Sequence, residues 1–469
     1  MADEGLQAGG LDRRTVLGLA AGTGAALAGC VDLGADPALE VPDSARIDEP
    51  VGVVATGLPA DTEVRVDAST TNPRTGEEWT ASATVRTDAD GRVDLRDATP
   101  VDGAYESRDG MGLFWSMQPD APSQEAWFPV ATHDVSLAVR TTDAPTQAAG
   151  STTDPAESET TDSAESATTD STDDALATAT TTRRLPVPDA EPLDDGLVGT
   201  VHYPDGDDPA PAVVALHGSG GVEPIQTARL LATHGYVAAS VQYFRDPDPL
   251  PDSLAEVPIE YVGEVVRRLR ADDRVAAAPI GLQGASKGGE LALLAGAHVD
   301  DVGAVVSVSG SGVVWEGLTE SSRAADASSW TIDDDPVPYV EMPESYPGSV
   351  RAYYERGLDE ADANTRADAT VPVERVDGPV ALVTGRDDGI WNGGRLQRIA
   401  ADRRRDADAP VTHERYDDAG HSIRPPLQPT YGRSAGSRYE FGGTPAGNAR
   451  AARSSWQLTL ETFERGLRN

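Results

Sequence analysis

Apolar and polar residues alternate strictly along three stretches of the first third of the chain: "TEVRVDAST" (62–70), "EEWTASATVRTD" (77–88) and "HDVSLAVRT" (133–141). A period of two predicts half-buried strands, and the Gly, Pro and Asp clusters between these stretches predict turns. Residues 46–140 therefore read as a small all-β domain, an immunoglobulin-like sandwich of about seven short strands. From about residue 184 the pattern changes to short continuous apolar runs: "LVGTVHYP", "PAVVALHG", "YVAASVQYF", "PIGLQG", "VGAVVSVSG" and "GPVALVTG". Helical stretches such as "PIEYVGEVVRRLR" and "GGELALLAGAHV" lie between them. That alternation predicts an α/β domain over residues 183–469, a mostly parallel sheet with helices on both faces. Ligands in such folds bind beyond the carboxyl ends of the strands. Residues 311–375 are acidic and rich in Trp, Tyr and Pro; they interrupt the rhythm and are expected to cap that edge.

Two other segments stand apart. Residues 141–182 contain no aromatic and no basic residue and are built from Ser, Thr, Ala, Asp and Glu. Such a tract buries too little apolar surface to offset its ordering entropy, so it is expected to be a disordered acidic linker. At the N-terminus, Arg13 and Arg14 precede a short apolar run that ends in "LAGC" at Cys30. Residues 1–30 resemble a twin-arginine signal peptide closing on a lipobox, followed by a tether over 31–45. The expectation is a protein exported across the membrane and held at its outer face by a lipid on Cys30. A cytoplasmic protein with an uncleaved leader is the alternative.

Charge narrows the function classes. The 469 residues carry 78 acidic and 38 basic side chains, a formal net charge of −40. That excess repels nucleic acid and anionic membrane surfaces, which leaves the lipid anchor as the expected membrane contact. The acid is spread along the whole chain and Lys287 is its single lysine. Both features suit a halophilic surface, since at 1 M salt the Debye length is only about 3 Å and self-repulsion is screened. Cys30 is the only cysteine, which excludes intrachain disulfides and thiolate metal clusters.

The chemistry concentrates in "PIGLQGASKGGELALL", a strand, a Gly-x-Ser-x-Gly turn and a helix. Gly284 and Gly288 allow the backbone to turn sharply around Ser286, which is then exposed at a helix N-terminus. A serine hydroxyl needs a base, and the base an orienting acid. Asp387 and Asp388 follow the strand "ALVTG", and His421 lies in the Gly-rich loop after the next strand. His421 is assigned as the base and Asp388 as the acid. Asp387 is expected to support the turn, and His413 falls inside the strand. The oxyanion of a tetrahedral intermediate needs two backbone N–H groups. One is expected from Lys287, the other from "HGSGG" (217–221) through Ser219 or Gly220.

These residues and several further motifs resemble one family, the acyl-CoA thioester hydrolases and bile acid-CoA:amino acid N-acyltransferases. The resemblance rests on "GLPADTEVRVDA", "GAYESRDGMGLFWSMQP", "IGLQGASKGGELALLAG", "GRDDGIWNGG", "DDAGHSIRPP" and "FGGTPAGNARAARSSWQLTLETF". It implies an α/β-hydrolase fold behind a β domain, and it places the family's triad on Ser286, Asp388 and His421. It also implies an acyl thioester substrate of the acyl-CoA type and no metal or organic cofactor. Family members that pass the acyl group to an amino acid commonly carry Cys where this chain has Ser286, so serine points to hydrolysis. The competing expectations are an N-acyltransferase, a surface carboxylic ester hydrolase and, last, a non-catalytic surface binding protein.

Overall fold

The alternation over residues 63–86 becomes a hairpin of two nine-residue strands, Glu63–Thr71 and Glu78–Arg86, with Val66 opposite Ala83. One face of each is buried and carries Val64, Val66, Ala68, Trp79 and Val85 into a common core. The computed structural model describes residues 36–120, 125–142, 174–245, 249–434 and 439–468. In the β domain the hairpin belongs to a larger sheet, and a three-stranded sheet of Ala38–Glu40, Val54–Thr56 and Val93–Asp94 accompanies it. The short helix Gly112–Trp115 buries Leu113, Phe114 and Trp115 in the same core.

The β domain takes in more chain than the alternation indicated. Ala177–Arg184, expected to end a disordered linker, is a strand paired antiparallel with His133–Thr141, Val135 facing Thr181. Its sequence "ATATTTRR" is polar, but threonine is β-branched and favours strands once a partner edge is offered. Thr181 and Arg183 are buried there. The expected tether is likewise structured at its end, because Ala38–Glu40 and Ser44–Arg46 join the two sheets. The leader with Arg13, Arg14 and Cys30 lies outside the described residues, as does 143–173 of the linker.

The second domain is built on eight strands: β1 (Ala190–Pro192), β2 (Val198–His202), β3 (Ala212–Leu216), β4 (Val237–Gln242), β5 (Ile280–Ala285), β6 (Val302–Val308), β7 (Val380–Gly385) and β8 (Val411–Tyr416). They lie in the order 1-2-4-3-5-6-7-8. β1 and β2 pair antiparallel and every pair from β4 to β8 is parallel. Strands β3, β4, β6 and β7 are buried throughout, which is why they read as continuous apolar runs rather than alternating ones. Helices α1 (Ile225–Thr233), α2 (Glu260–Arg270), α3 (Lys287–His298), α4 (Gly393–Asp406) and α5 (Pro445–Leu467) accompany the sheet. This strand order and handing-over of strands to helices is the α/β-hydrolase fold. Among the described residues, no helix is long and apolar enough to cross a membrane.

The two domains share a strand pair and a polar clamp. Glu125–Trp127 pairs antiparallel with Gly432–Ser434, so a piece of each domain completes a two-stranded sheet. Leu427 of the catalytic domain lies in the β-domain core. At the other end the Asp48 side chain is buried and accepts from Arg46 Nε (2.5 Å), His234 Nε2 (2.6 Å) and Trp456 Nε1 (3.2 Å). Burial pushes its carboxyl up, but the hydrogen bonds from His234 and Arg46 outweigh that and hold it below the ordinary 3.8. A carboxyl lowered on folding contributes stability that is complete above its unfolded value and is lost as pH falls through the lower, folded one. Asp48→Ala is expected to cost about 2–3 kcal/mol in chemical denaturation near neutral pH. The difference from wild type should shrink below the unfolded carboxyl pKa of about 3.9.

Candidate active site

Ser286 sits between β5 and α3 with φ 56° and ψ −124°, a left-handed conformation that non-glycine residues rarely adopt. The turn is possible because the positions two residues to either side carry no side chain. A Cβ on Gly284 would lie 1.9 Å from Gly288 O, and one on Gly288 would lie 2.3 Å from His217 O. The Ser286 N–H donates to Val308 O at the end of β6 (2.9 Å), which anchors the turn against the neighbouring strand. Gly218 stands directly against it, since a Cβ there would approach Ser286 Cβ to 3.1 Å.

His421 and Asp388 meet by hydrogen bond, His421 Nδ1 to Asp388 Oδ2 at 2.8 Å. Asp388 is fully buried, and its Oδ1 accepts from the N–H groups of Ile390 (2.8 Å) and Trp391 (3.1 Å). The carboxylate is therefore held by the start of its own loop, with one oxygen left for the imidazole. With Nδ1 committed to Asp388, Nε2 is the His421 atom available to a substrate or hydroxyl. Ser309 connects the two halves of the site. It follows Val308, the partner of Ser286, and its Oγ donates to His421 O (2.8 Å). Its own carbonyl accepts from Trp391 Nε1 (2.8 Å). Asp387 has a different task, for its Oδ2 accepts from Gly443 N–H at 2.9 Å and ties the acid loop to the C-terminal segment. His413 remains in β8, where burial pushes it down to about 4.

The loop "HGSGG" forms a tight turn closed by Gly221 N–H on Gly218 O (3.1 Å). Arg245 Nη1 holds Gly220 O (2.6 Å) and Gln242 Nε2 holds Gly221 O (2.9 Å). Below it His217 stacks on Tyr243 with ring centroids 3.9 Å apart, and burial pushes the imidazole down to about 4, so it is neutral. Among the described residues, the N–H groups of Ser219, Gly220 and Lys287 have no acceptor. The turn thus has the carbonyls of Gly218, Gly220 and Gly221 engaged, and Gly218 sets it against Ser286.

The Lys287 side chain runs the other way, into the protein. Its Nζ lies 2.7 Å from Ser329 Oγ, 2.9 Å from Glu290 Oε1 and 3.5 Å from Trp315 O. Glu290 Oε1 also accepts from Trp330 Nε1 (2.8 Å) and Trp315 N (3.3 Å). Both charges are fully buried, and burial pushes the lysine down and the glutamate up from their ordinary values. Three acceptors around one point suit an ammonium with three donors and not a flat guanidinium. That is a physical reason for a lysine in a chain that otherwise uses arginine. Glu290 and Gln242 were not singled out from sequence. The signal for Glu290 was its i+3 spacing from Lys287 on α3; that for Gln242 was a lone amide ending an apolar strand.

No metal-holding group of three or more His, Cys, Asp or Glu occurs among the described residues. What the arrangement can do is acyl transfer to a serine, with a paired imidazole and backbone donors at hand. An α/β-hydrolase with a serine turn, a His–Asp pair and a glycine loop defines the class. Two models of one family match this chain: the acyl-CoA thioester hydrolase/BAAT N-terminal region over residues 48–186, and the BAAT/acyl-CoA thioester hydrolase C-terminal region over 257–469. Together they take in well over half of the chain, which belongs to that family. It is 29% identical over 429 residues to the mitochondrial acyl-coenzyme A thioesterase 2 of Rattus norvegicus, covering 89% of this chain and 86% of the relative. It is 27% identical over 426 residues to acyl-coenzyme A thioesterase 1 of the same species, covering 89% and 93%. Among solved structures, a dienelactone hydrolase of Klebsiella pneumoniae is similar at TM-score 0.37 and 18% identity, covering 58% of this chain and 95% of its own.

Breaking one side of the Lys287–Glu290 pair leaves a buried charge. Lys287→Met is expected to cost about 3–5 kcal/mol. Lys287→Arg should cost about 1–3 kcal/mol through overpacking. The double variant Lys287→Met/Glu290→Leu should recover most of the loss of the first. Chemical denaturation of the three variants in molar KCl measures all of these, and an unchanged midpoint for Lys287→Arg would remove the geometric reason for lysine.

Proposed function

We propose that the protein hydrolyses acyl thioesters of the acyl-CoA class through a serine-bound acyl intermediate. Ser286 Oγ attacks the thioester carbonyl while His421 Nε2 takes its proton, and Asp388 holds the imidazole and stabilises its cationic form. The carbonyl oxygen, now negative, receives the N–H of Lys287 and that of Ser219 or Gly220. Collapse breaks the C–S bond and expels the thiolate, which takes the proton held by His421. Water activated by the same imidazole then releases the carboxylic acid. The observation that carries this reading is the Asp388–His421 hydrogen bond of 2.8 Å on one side of the β6 end and the strained Ser286 turn on the other. Serine at position 286 favours water over an amine as the acceptor, since an oxygen ester is less prone to aminolysis than a thioester.

The leader supports a second element of the reading, export by the twin-arginine route and lipid attachment at Cys30, with a halophilic surface facing concentrated salt. Fractionation and mass analysis of the mature N-terminus test it; a cytosolic protein that keeps residues 1–30 would refute it.

Ser286→Ala is expected to lower kcat by at least about a thousandfold, and Asp388→Asn by roughly a thousand- to ten-thousandfold. Intact-protein mass spectrometry of the wild type should reveal an acyl adduct that Ser286→Ala lacks. Free acid should remain the product when glycine or taurine is added; an N-acyl amino acid would assign transfer instead.

A further inference from the structure

The glycine turn beside Ser286 has little stiffness of its own. Gly221 N–H closes it on Gly218 O (3.1 Å), which puts Ser219 and Gly220 at the two central positions. Among the described residues, no hydrogen bond holds the central peptide, made of the Ser219 carbonyl and the Gly220 N–H. A peptide in that place can rotate between two turn types, and the second needs positive φ at the third residue. That residue is Gly220, for which positive φ carries no steric cost. It does not adopt one here, whereas Gly221 has φ 60°. A Cβ built on Gly220 would meet nothing within 4 Å, so packing does not block the rotation either. Whatever keeps the turn in one form has to act through its other carbonyls.

The end of β4 supplies that grip. Ser240 and Gln242 stand two residues apart and so share one face of the strand. Ser240 Oγ donates to Glu223 Oε1 (2.5 Å), just beyond the turn. Gln242 is 6% exposed, and its Nε2 donates to Gly221 O (2.9 Å) and to Phe244 O (2.7 Å). Two carbonyl partners identify the nitrogen end of the amide, and both of its protons are used. Arg245 Nη1 holds Gly220 O (2.6 Å) from the exposed side, where water competes for the contact. With the Gly220 and Gly221 carbonyls both fixed, the planar peptides on either side of Gly221 cannot turn, and a rotation at Gly220 has nowhere to be absorbed. We propose that Gln242 is a positioning residue for the oxyanion hole. By holding Gly221 O it keeps the turn in the one form whose N–H groups meet the charge that develops on the carbonyl oxygen. Its donors are spent on the main chain, so it acts through Gly221 and not on the reacting atoms. A buried amide is costly unless its hydrogen bonds are met, and here the turn itself meets them. The inference rests on the serine-hydrolase reading above.

The test is Gln242→Leu, assayed on acyl-CoA in molar KCl with kcat expressed per serine titrated by a fluorophosphonate. Moving an oxyanion donor out of line weakens the transition state and spares the ground state. The variant should therefore lose about ten- to a hundredfold in kcat with KM within about twofold of wild type. An alkyl trifluoromethyl ketone, whose serine adduct carries the negative oxygen, should lose affinity by the same factor. If Gln242→Leu does not fold, Gln242→Met, unbranched and without an N–H, gives the same readings. A role in folding alone would lower the number of titratable serines and leave kcat per serine and ketone affinity at their wild-type values; that result overturns the proposal. A raised KM at unchanged kcat overturns it too, because Gln242 would then serve substrate binding. Wild-type protein that binds the ketone but turns over no acyl-CoA sinks the thioester reading alone, since ketone affinity in Gln242→Leu still decides the role of the amide. Wild-type protein that neither binds the ketone nor turns over a thioester overturns both.

Discussion

The ion pair of Lys287 and Glu290 is the constraint on which the rest of the site depends. It joins the first turn of α3 to Trp315, Ser329 and Trp330, all from the long excursion after β6. The residues directly after Ser286 therefore also hold the excursion down. A strained backbone persists only where its surroundings over-determine it. Here the glycines remove the steric obstacle, Val308 fixes the serine N–H, and the buried pair fixes the next residue along. A water-filled or flexible contact in place of the pair would leave the backbone free to relax.

The β domain acts on the opposite half of the site. His421 is followed within a few residues by Arg424, Leu427 and Gln428, each engaged with the β domain through Phe128, its core or Ile47. The base loop is thus pinned between the domains rather than carried by the catalytic sheet alone. Asp387 completes the arrangement by holding Gly443, at the entry to α5.

The sheet was legible because its buried strands are continuous apolar runs ending in glycine, a pattern with few competing explanations. Ser286, Asp388 and His421 could be named because their chain order and flanking elements match a known geometry, and the structure brings Asp388 and His421 together. The strand Ala177–Arg184 was illegible for a compositional reason. Its threonines read as low complexity, and only the free edge of His133–Thr141 makes them a strand. Arg424 and Gln428 were equally silent: in sequence they are polar residues beside prolines, and their contacts to Phe128 and Ile47 exist only once the β domain docks.

That late strand alters the role of the acidic tract before it. The chain leaves one strand after Thr141 and returns at Ala177 in the neighbouring one, with Val139 opposite Ala177. Both ends of the tract are therefore fixed side by side in a single sheet, and its length cannot set the distance or angle between the domains. Loop closure costs only about 0.6 kcal/mol for each doubling of length. The sheet consequently tolerates wide variation in that insert, and selection on its composition is free to answer to the solvent outside and not to the fold within.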